Sequence, residues 1–310
     1  MSQDAKPLLL VALGGNAMVR KGQSGTLDEQ LDNLRVPVLQ IAKLARDHRI
    51  IVTHGNGPQV GSLLLQQECC DHVPHMPLEV LVAQSQGQIG YMIESSLDTA
   101  FMELGDLQRP IVSLISYVVV DQGDPAFAEP SKPIGPVLNE AQAAAAPYPV
   151  RTTAKGLRRV VASPRPLTIV EKREIRELTA LDFTVICCGG GGIPVVREGR
   201  AFQGVDAVID KDLASSRLAI EVGVDVFCIA TDVPGVALDF GSEKERFLER
   251  MSVSQARKHL TEGQFPDGSM GPKVEACLEY LESGGKRAVI TATDTISEAV
   301  SGRAGTQLVR

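Results

Sequence analysis

The stretch LLLVALGGNA, residues 8–17, sets the architecture. Six apolar residues run without alternation and stop on a glycine pair. A strand covered on one face alternates apolar with polar residues. A strand covered on both faces does not, and parallel strands between helix layers are of this second kind. RIIVTHGNG at residues 49–57 repeats the form, and FTVICCGGGG at residues 183–192 repeats it again. Glycine at the carboxyl end of a parallel strand lets backbone come close to a ligand. Free N–H groups there, with the partial positive charge of a following helix, suit an anion. One such loop is as well explained by a tight turn with nothing bound. Three in one chain predict a phosphate or anion site.

Working outward, Thr26 and Glu29 make a T-x-x-E capping box ahead of a helix to about His48, with Pro37 expected to kink it. Pro58 suits the first turn of a helix ending near Glu68. Pro77 precedes a helical stretch over residues 78–104, and residues 111–120 are β-rich. Later helices are expected over 171–180, 211–222, 252–262 and 272–282, with strands over 183–188, 226–230 and 288–291 and a last edge strand at 307–309. Strands alternating with helices predict a parallel α/β sandwich. Residues 121–166 break the pattern. Prolines at 125, 130, 133, 136, 147, 149, 164 and 166, eight of the chain's 18, mark an irregular insertion or small subdomain. Long excursions of this kind are more often functional than idle.

At about 150 residues per domain, 310 residues make one large domain or two lobes. The formal charge of −7 argues against a general nucleic-acid binder, which needs a basic face. It leaves room for a phosphorylated small substrate, because local charge governs that. Hydrophobic content of 44% with 22% charged residues reads as globular. The six cysteines, at 69, 70, 187, 188, 228 and 277, show no C-x-x-C spacing and two adjacent pairs, which suits neither a disulfide framework nor a zinc ribbon. The apolar run at 8–13 is too short to span a membrane. The expectation is a soluble, reduced, cytoplasmic protein with no nucleic-acid or membrane partner.

Familiar catalytic words are missing. There is no G-x-x-x-x-G-K-[ST] and no G-x-S-x-G. GNGPQVG at 55–61 spaces its third glycine one residue too far for a dinucleotide loop. DFG at 239–241 has no H-R-D partner upstream and reads as a turn. Cys69, Cys70, His72 and His75 match no zinc spacing, and no protein-held metal is expected. His54 either orients a substrate or is a buried structural residue. The chain has only 11 lysines. Lys132 lies in the insertion, and Lys211 and Lys273 lie at helix starts. An ammonium beside a helix start can follow a phosphoryl group in transfer, although a solvated helix-end charge is the plainer reading of any one lysine. Asp210 and Asp212 could hold those lysines or a hydrated Mg²⁺, or could simply cap the helix.

The residues themselves resemble a family. VALGGNA (11–17), HGNGPQVG (54–61), SQGQIGY (85–91), KPIGP (132–136), RRVVASPRP (158–166), CGGGGIPV (188–195), AVIDKDLA (207–214) and GSMGPK (268–273) together are similar to the carbamate kinases of the amino acid kinase superfamily. They occur in family order across nearly the whole chain. The resemblance implies one amino acid kinase domain over 1–310, a three-layer αβα sandwich with a mainly parallel central sheet and a small protruding subdomain, assembled as a homodimer. Residues 1–188 would form the carbamate-binding lobe, including a subdomain at about 121–166 that closes over the substrate, and 189–310 the nucleotide-binding lobe. Gly14, Gly15 and Asn16 would contact the transferring phosphoryl group. His54, Gly55, Asn56, Gly57, Gly190 and Gly191 would shape the carbamate and phosphate pocket, and Asp210, Thr231, Asp232 and Met270 the nucleotide site. Lys211 and Lys273 would stabilise phosphoryl charge, with Asp212 orienting them. Superfamily members often carry a lysine two residues before the first glycine pair, where this chain has Ala12. Lys132 is the candidate substitute, and some relatives carry a lysine where this chain has Ala128.

The implied reaction is ATP + carbamate ⇌ ADP + carbamoyl phosphate with Mg²⁺, run physiologically toward ATP. It suits the residue inventory, because carbamate is already an anion and needs no general base. Bringing an anion to a polyanion demands cations and N–H donors. Two rivals remain: a kinase of the same superfamily acting on another small acid, and a ligand-sensing module without turnover.

Overall fold

The computed structural model describes residues 6–20, 22–70, 72–153, 156–265 and 268–310. Among them an eight-stranded sheet runs through the molecule in the order Arg250–Ser252, Thr306–Val309, Arg287–Ala292, Val226–Thr231, Leu8–Leu13, Arg49–His54, Thr184–Ile186, Ile111–Ser113. The six strands from Arg287–Ala292 to Ile111–Ser113 are mutually parallel, and Thr306–Val309 joins them antiparallel. The expected final strand is therefore present, but it is not at the edge. Arg250–Ser252 lies outside it as a three-residue strand parallel to it.

Leu8–Leu13 sits at the centre and is buried at every residue. Its two faces feed two different cores. Leu8, Leu10 and Ala12 pack with Leu213 and Leu218 of the helix Lys211–Val222 and with Val274 and Leu281 of the helix Met270–Glu282. Leu9, Val11 and Leu13 pack with Leu34 and Ile41 of the helix Leu27–Leu44 and with Ile89 and Ile93 of the helix Leu78–Glu103. Burial on both faces is why the run is apolar throughout. Each fully buried leucine contributes about 2 kcal/mol of transfer free energy. The layers are helix, sheet, helix.

The Leu27–Leu44 helix starts as its capping box dictates, with the Thr26 hydroxyl accepting from Glu29 N–H and the Glu29 carboxylate accepting from Thr26 N–H. Pro37 lies inside this one continuous helix. Residues 121–166 include an antiparallel sheet of three strands, Lys132–Leu138, Gly156–Val161 and Val150–Thr153, with the short helix Glu140–Ala145. A further four-stranded sheet joins Ala201–Gly204, Ile193–Glu198, Tyr117–Val119 and Thr168–Ile169. Among the described residues no helix is long and apolar enough to cross a membrane.

Candidate active site

The carboxyl ends of the parallel strands meet at one edge of the sheet, and their loops pack on one another. Gly14 N–H donates to the Ala230 carbonyl at 2.9 Å, and Gly55 N–H to the Leu13 carbonyl at 3.0 Å. A methyl on Gly55 would stand 3.1 Å from Gly15 N, a tight contact that the absence of a side chain avoids. The tetraglycine is a hub of such contacts. A Cβ on Gly189 would meet the His54 ring, on Gly190 the Asn56 amide at 2.1 Å, and on Gly191 the Ile209 carbonyl at 2.7 Å.

These bonds correct part of the anion-loop expectation. The N–H groups of Gly14, Gly55 and Gly191 are engaged, the last with the Cys188 carbonyl. The donors free to meet a ligand are those at helix starts, where no earlier carbonyl accepts. Gly15 and Asn16 open a short 3-10 turn, and Gly57 opens the helix Gly57–Glu68. Gly15, Gly55, Asn56, Gly57 and Gly190 line a cleft of about 220 Å³. Gly14 and Gly191 support it from behind.

The opposite wall carries the charges. Asp210 caps the Lys211–Val222 helix, its Oδ1 accepting from the N–H groups of Asp212 at 2.9 Å and Leu213 at 3.3 Å. Its Oδ2 lies 2.6 Å from Lys132 Nζ. Capping and lysine holding are thus one residue's two jobs. Asp212, buried on the first turn, takes Lys211 Nζ on Oδ1 at 2.6 Å and Lys273 Nζ on Oδ2 at 3.2 Å. Lys211 Nζ also lies 3.5 Å from the Ala12 carbonyl, under the first glycine loop. Lys132, Lys211 and Lys273, from three distant parts of the chain, all line the cleft with Asp210 and Asp212. Three ammoniums facing two carboxylates leave a positive balance.

Burial would raise the Asp212 carboxyl, but the two lysines overcome it and hold the group far below the usual carboxylate range. Burial pulls Lys211 below an ordinary lysine, against the attraction of Asp212. For Lys273 burial is outweighed by Asp212, Asp210 and Asp232, and its affinity for the proton rises. His54 is buried and lines no part of the cleft. Burial, and Lys211 beside it, bring its imidazole down to about 4 despite the Gly55 carbonyl 3.1 Å from Nδ1. The structure places its ring behind the loops, against Gly189, and not on the cleft wall.

Beyond Lys273 the cleft continues into an apolar recess. Thr231, Asp232 and Met270, expected at the nucleotide, line it, together with Val233, Ala237, Phe240 and Phe265. Asn16 Nδ2 donates to Asp232 Oδ2 at 2.8 Å, tying the first loop to this recess. Sequence reading missed the four apolar residues. Asp239 to Gly241 do turn, with Asp239 at φ 52°, but the exposed ring of Phe240 faces the recess. Ser269 lines both spaces, and its place beside Met270 in the GSMGPK stretch is the sequence signal for it.

The family model of the amino acid kinase family matches residues 7–292. A carbamate kinase of Thermococcus kodakarensis is 44% identical over 312 residues, covering 97% of this chain and 99% of its own. A carbamate kinase-like protein of Escherichia coli, YqeA, is 42% identical over 308 residues, covering 96% and 97%. The solved carbamate kinase from Giardia lamblia bound to AMP-PNP superposes with a TM-score of 0.90 at 39% identity, covering 98% of this chain and 99% of that one. With its parallel sheet, its glycine loops and its lysine-lined cleft, the chain belongs to the amino acid kinase family, in the carbamate kinase branch.

Proposed function

We propose that this chain transfers a phosphoryl group reversibly between ATP and carbamate. The observation that carries the reading is the cluster of Lys132, Lys211 and Lys273 around Asp210 and Asp212, opposite the open N–H groups of two loops. A carbamate oxygen attacks the γ-phosphorus as the bond to the β–γ bridging oxygen breaks, and ADP leaves with that electron pair. No proton has to move, and among the described residues that line the cleft there is no Ser-His or Cys-His pair to move one. The work is charge placement, which preorganised cations and N–H dipoles do well in a partly dry cleft.

Roles follow from location. Gly55, Asn56 and Gly57 hold carbamate, and the Asn56 amide is itself fixed on the Ser85 hydroxyl at 2.9 Å. Gly15 and Asn16 offer N–H groups to the phosphoryl oxygens. Lys211 and Lys273, gripped by one carboxylate, take the charge developing on the transferred group, and Lys132 supplies the cation that Ala12 cannot. The base lies in the recess of Phe240, Phe265 and Met270. In this reading residues 1–188 bind carbamate, residues 189–310 bind nucleotide, and the strands of 121–166 carry Lys132 over the cleft.

The oxygens of Asp210 and Asp212 are already taken by lysines and helix N–H groups. They do not make a magnesium cage. Mg²⁺ therefore comes as part of the substrate, chelated by the nucleotide's phosphates. A homodimer in a reduced cytoplasm belongs to the same reading. The test is ADP release from MgATP with bicarbonate plus ammonia, which supply carbamate, against a panel of amino-acid carboxylates. Turnover with the carbamate source is expected. Turnover only with an amino acid, or nucleotide binding without turnover, overturns the reading.

A further inference from the structure

The cleft does not end at its glycine wall. Gly15, Gly57, Pro58 and Pro133 also border a wider groove of about 550 Å³ that runs outward between the first glycine loop, the Gly57–Glu68 helix and the antiparallel sheet of the insertion. Among the described residues its lining is neutral except for Arg158.

Arg158 and Arg159 are neighbours on the Gly156–Val161 strand, so their side chains leave on opposite faces. Arg159 is neutralised: Nη1 lies 2.8 Å from Glu68 Oε1, and its guanidinium covers the Tyr148 ring. Arg158 is not. Among the described residues it has no carboxylate partner. Nη2 donates to the Gly135 carbonyl at 2.6 Å, and Nε is buried with no acceptor. Arg151 stands opposite it across the strand pair, adding like charge. Burial lowers its proton affinity, in keeping with a cation short of anions. A half-buried guanidinium held on one carbonyl in a groove leading to a reaction cleft is poised for an anion.

We propose that Arg158 forms an anion-capture subsite, which takes up the small carboxylate-type or acyl phosphate substrate in the outer groove before it passes Gly57 and Pro133 into the lysine cleft. The subsite rests on the proposed reaction for the identity of its anion. Arg158 touches no reacting atom there, so it governs capture and leaves the chemical step alone.

The test compares wild type, Arg158→Gln and Arg158→Lys, with Arg159→Gln as a control for net charge. With ADP and carbamoyl phosphate, Arg158→Gln should raise the KM for carbamoyl phosphate about tenfold, the scale of one lost charge-assisted hydrogen bond. kcat and the KM for ADP should stay within about twofold, since capture is uniform binding. Arg158→Lys should recover part of the loss, Arg159→Gln should leave that KM unchanged, and the fall of kcat/KM with added salt should flatten in Arg158→Gln. An unchanged KM, or a loss of kcat together with melting temperature, overturns the subsite. If wild type shows no turnover of carbamoyl phosphate, the proposed reaction fails on its own. Inorganic phosphate then serves as the probe: it should raise the melting temperature of wild type and not of Arg158→Gln, and an equal response in both overturns the subsite.

Discussion

Asp212 concentrates the chemistry of the site in one side chain. Its two oxygens hold Lys211 and Lys273 at 2.6 and 3.2 Å, from the first turns of two different helices. Lys273→Ala leaves Asp212 still paired with Lys211, so the fold should persist. Turnover should fall on the order of a hundredfold or more, the scale of one lost transition-state charge partner. Steady-state kinetics beside a thermal melt checks it, and unchanged kcat would remove Lys273 from its role. His54 gives a prediction about stability. Its folded-state imidazole titrates at about 4 against 6.5 for an ordinary histidine, so the unfolded chain binds the extra proton between those values. Stability from this group is complete above pH 6.5, falls as pH drops from 6.5 to 4, and is then flat, a loss of about 3 kcal/mol. Urea midpoints for wild type and His54→Gln at pH 7 and pH 4.5 test this. The variant should lose less stability between the two than wild type, and equal losses would contradict the assignment.

At the scale of elements, the glycine loops matter more as spacers than as donors. Gly190 sits at φ 65°, and a methyl there would stand 2.1 Å from the Asn56 amide nitrogen. Gly190→Ala should therefore push Asn56 aside, raising the KM for the acceptor. It should also destabilise the chain by more than about 1 kcal/mol, because alanine resists that backbone conformation. Unchanged KM and melting temperature would show that the hub has slack. The sequence exposes these loops because each follows an unbroken apolar strand, and Leu8–Leu13 and Arg49–His54 fall where that rule puts them. It hides elements whose reason is elsewhere. Arg250–Ser252 is three residues long and exists because Thr306–Val309 offers it an edge. The hairpin of Ile193–Glu198 and Ala201–Gly204 follows the tetraglycine directly, where a helix is the expectation after a parallel strand.

Across the whole molecule, what the sequence could not display is convergence. Lys273 and Asp212 are 61 positions apart, and Lys132 and Asp210 are 78. Each lysine alone reads as a helix-end or loop charge, and the resemblance supplied their common purpose. The apolar recess of Val233, Phe240 and Phe265 is hidden in the sequence for the same reason, since its walls come from separate loops. The net charge of −7 conceals the point that matters, a local excess of ammonium where phosphate must pass. The central claim is that this excess moves a phosphoryl group between carbamate and nucleotide. It is tested most directly by supplying carbamoyl phosphate and MgADP and following ATP by a coupled reaction. The account predicts ATP formation by wild type and its collapse in Lys273→Ala. No ATP from wild type, with nucleotide bound, would contradict it.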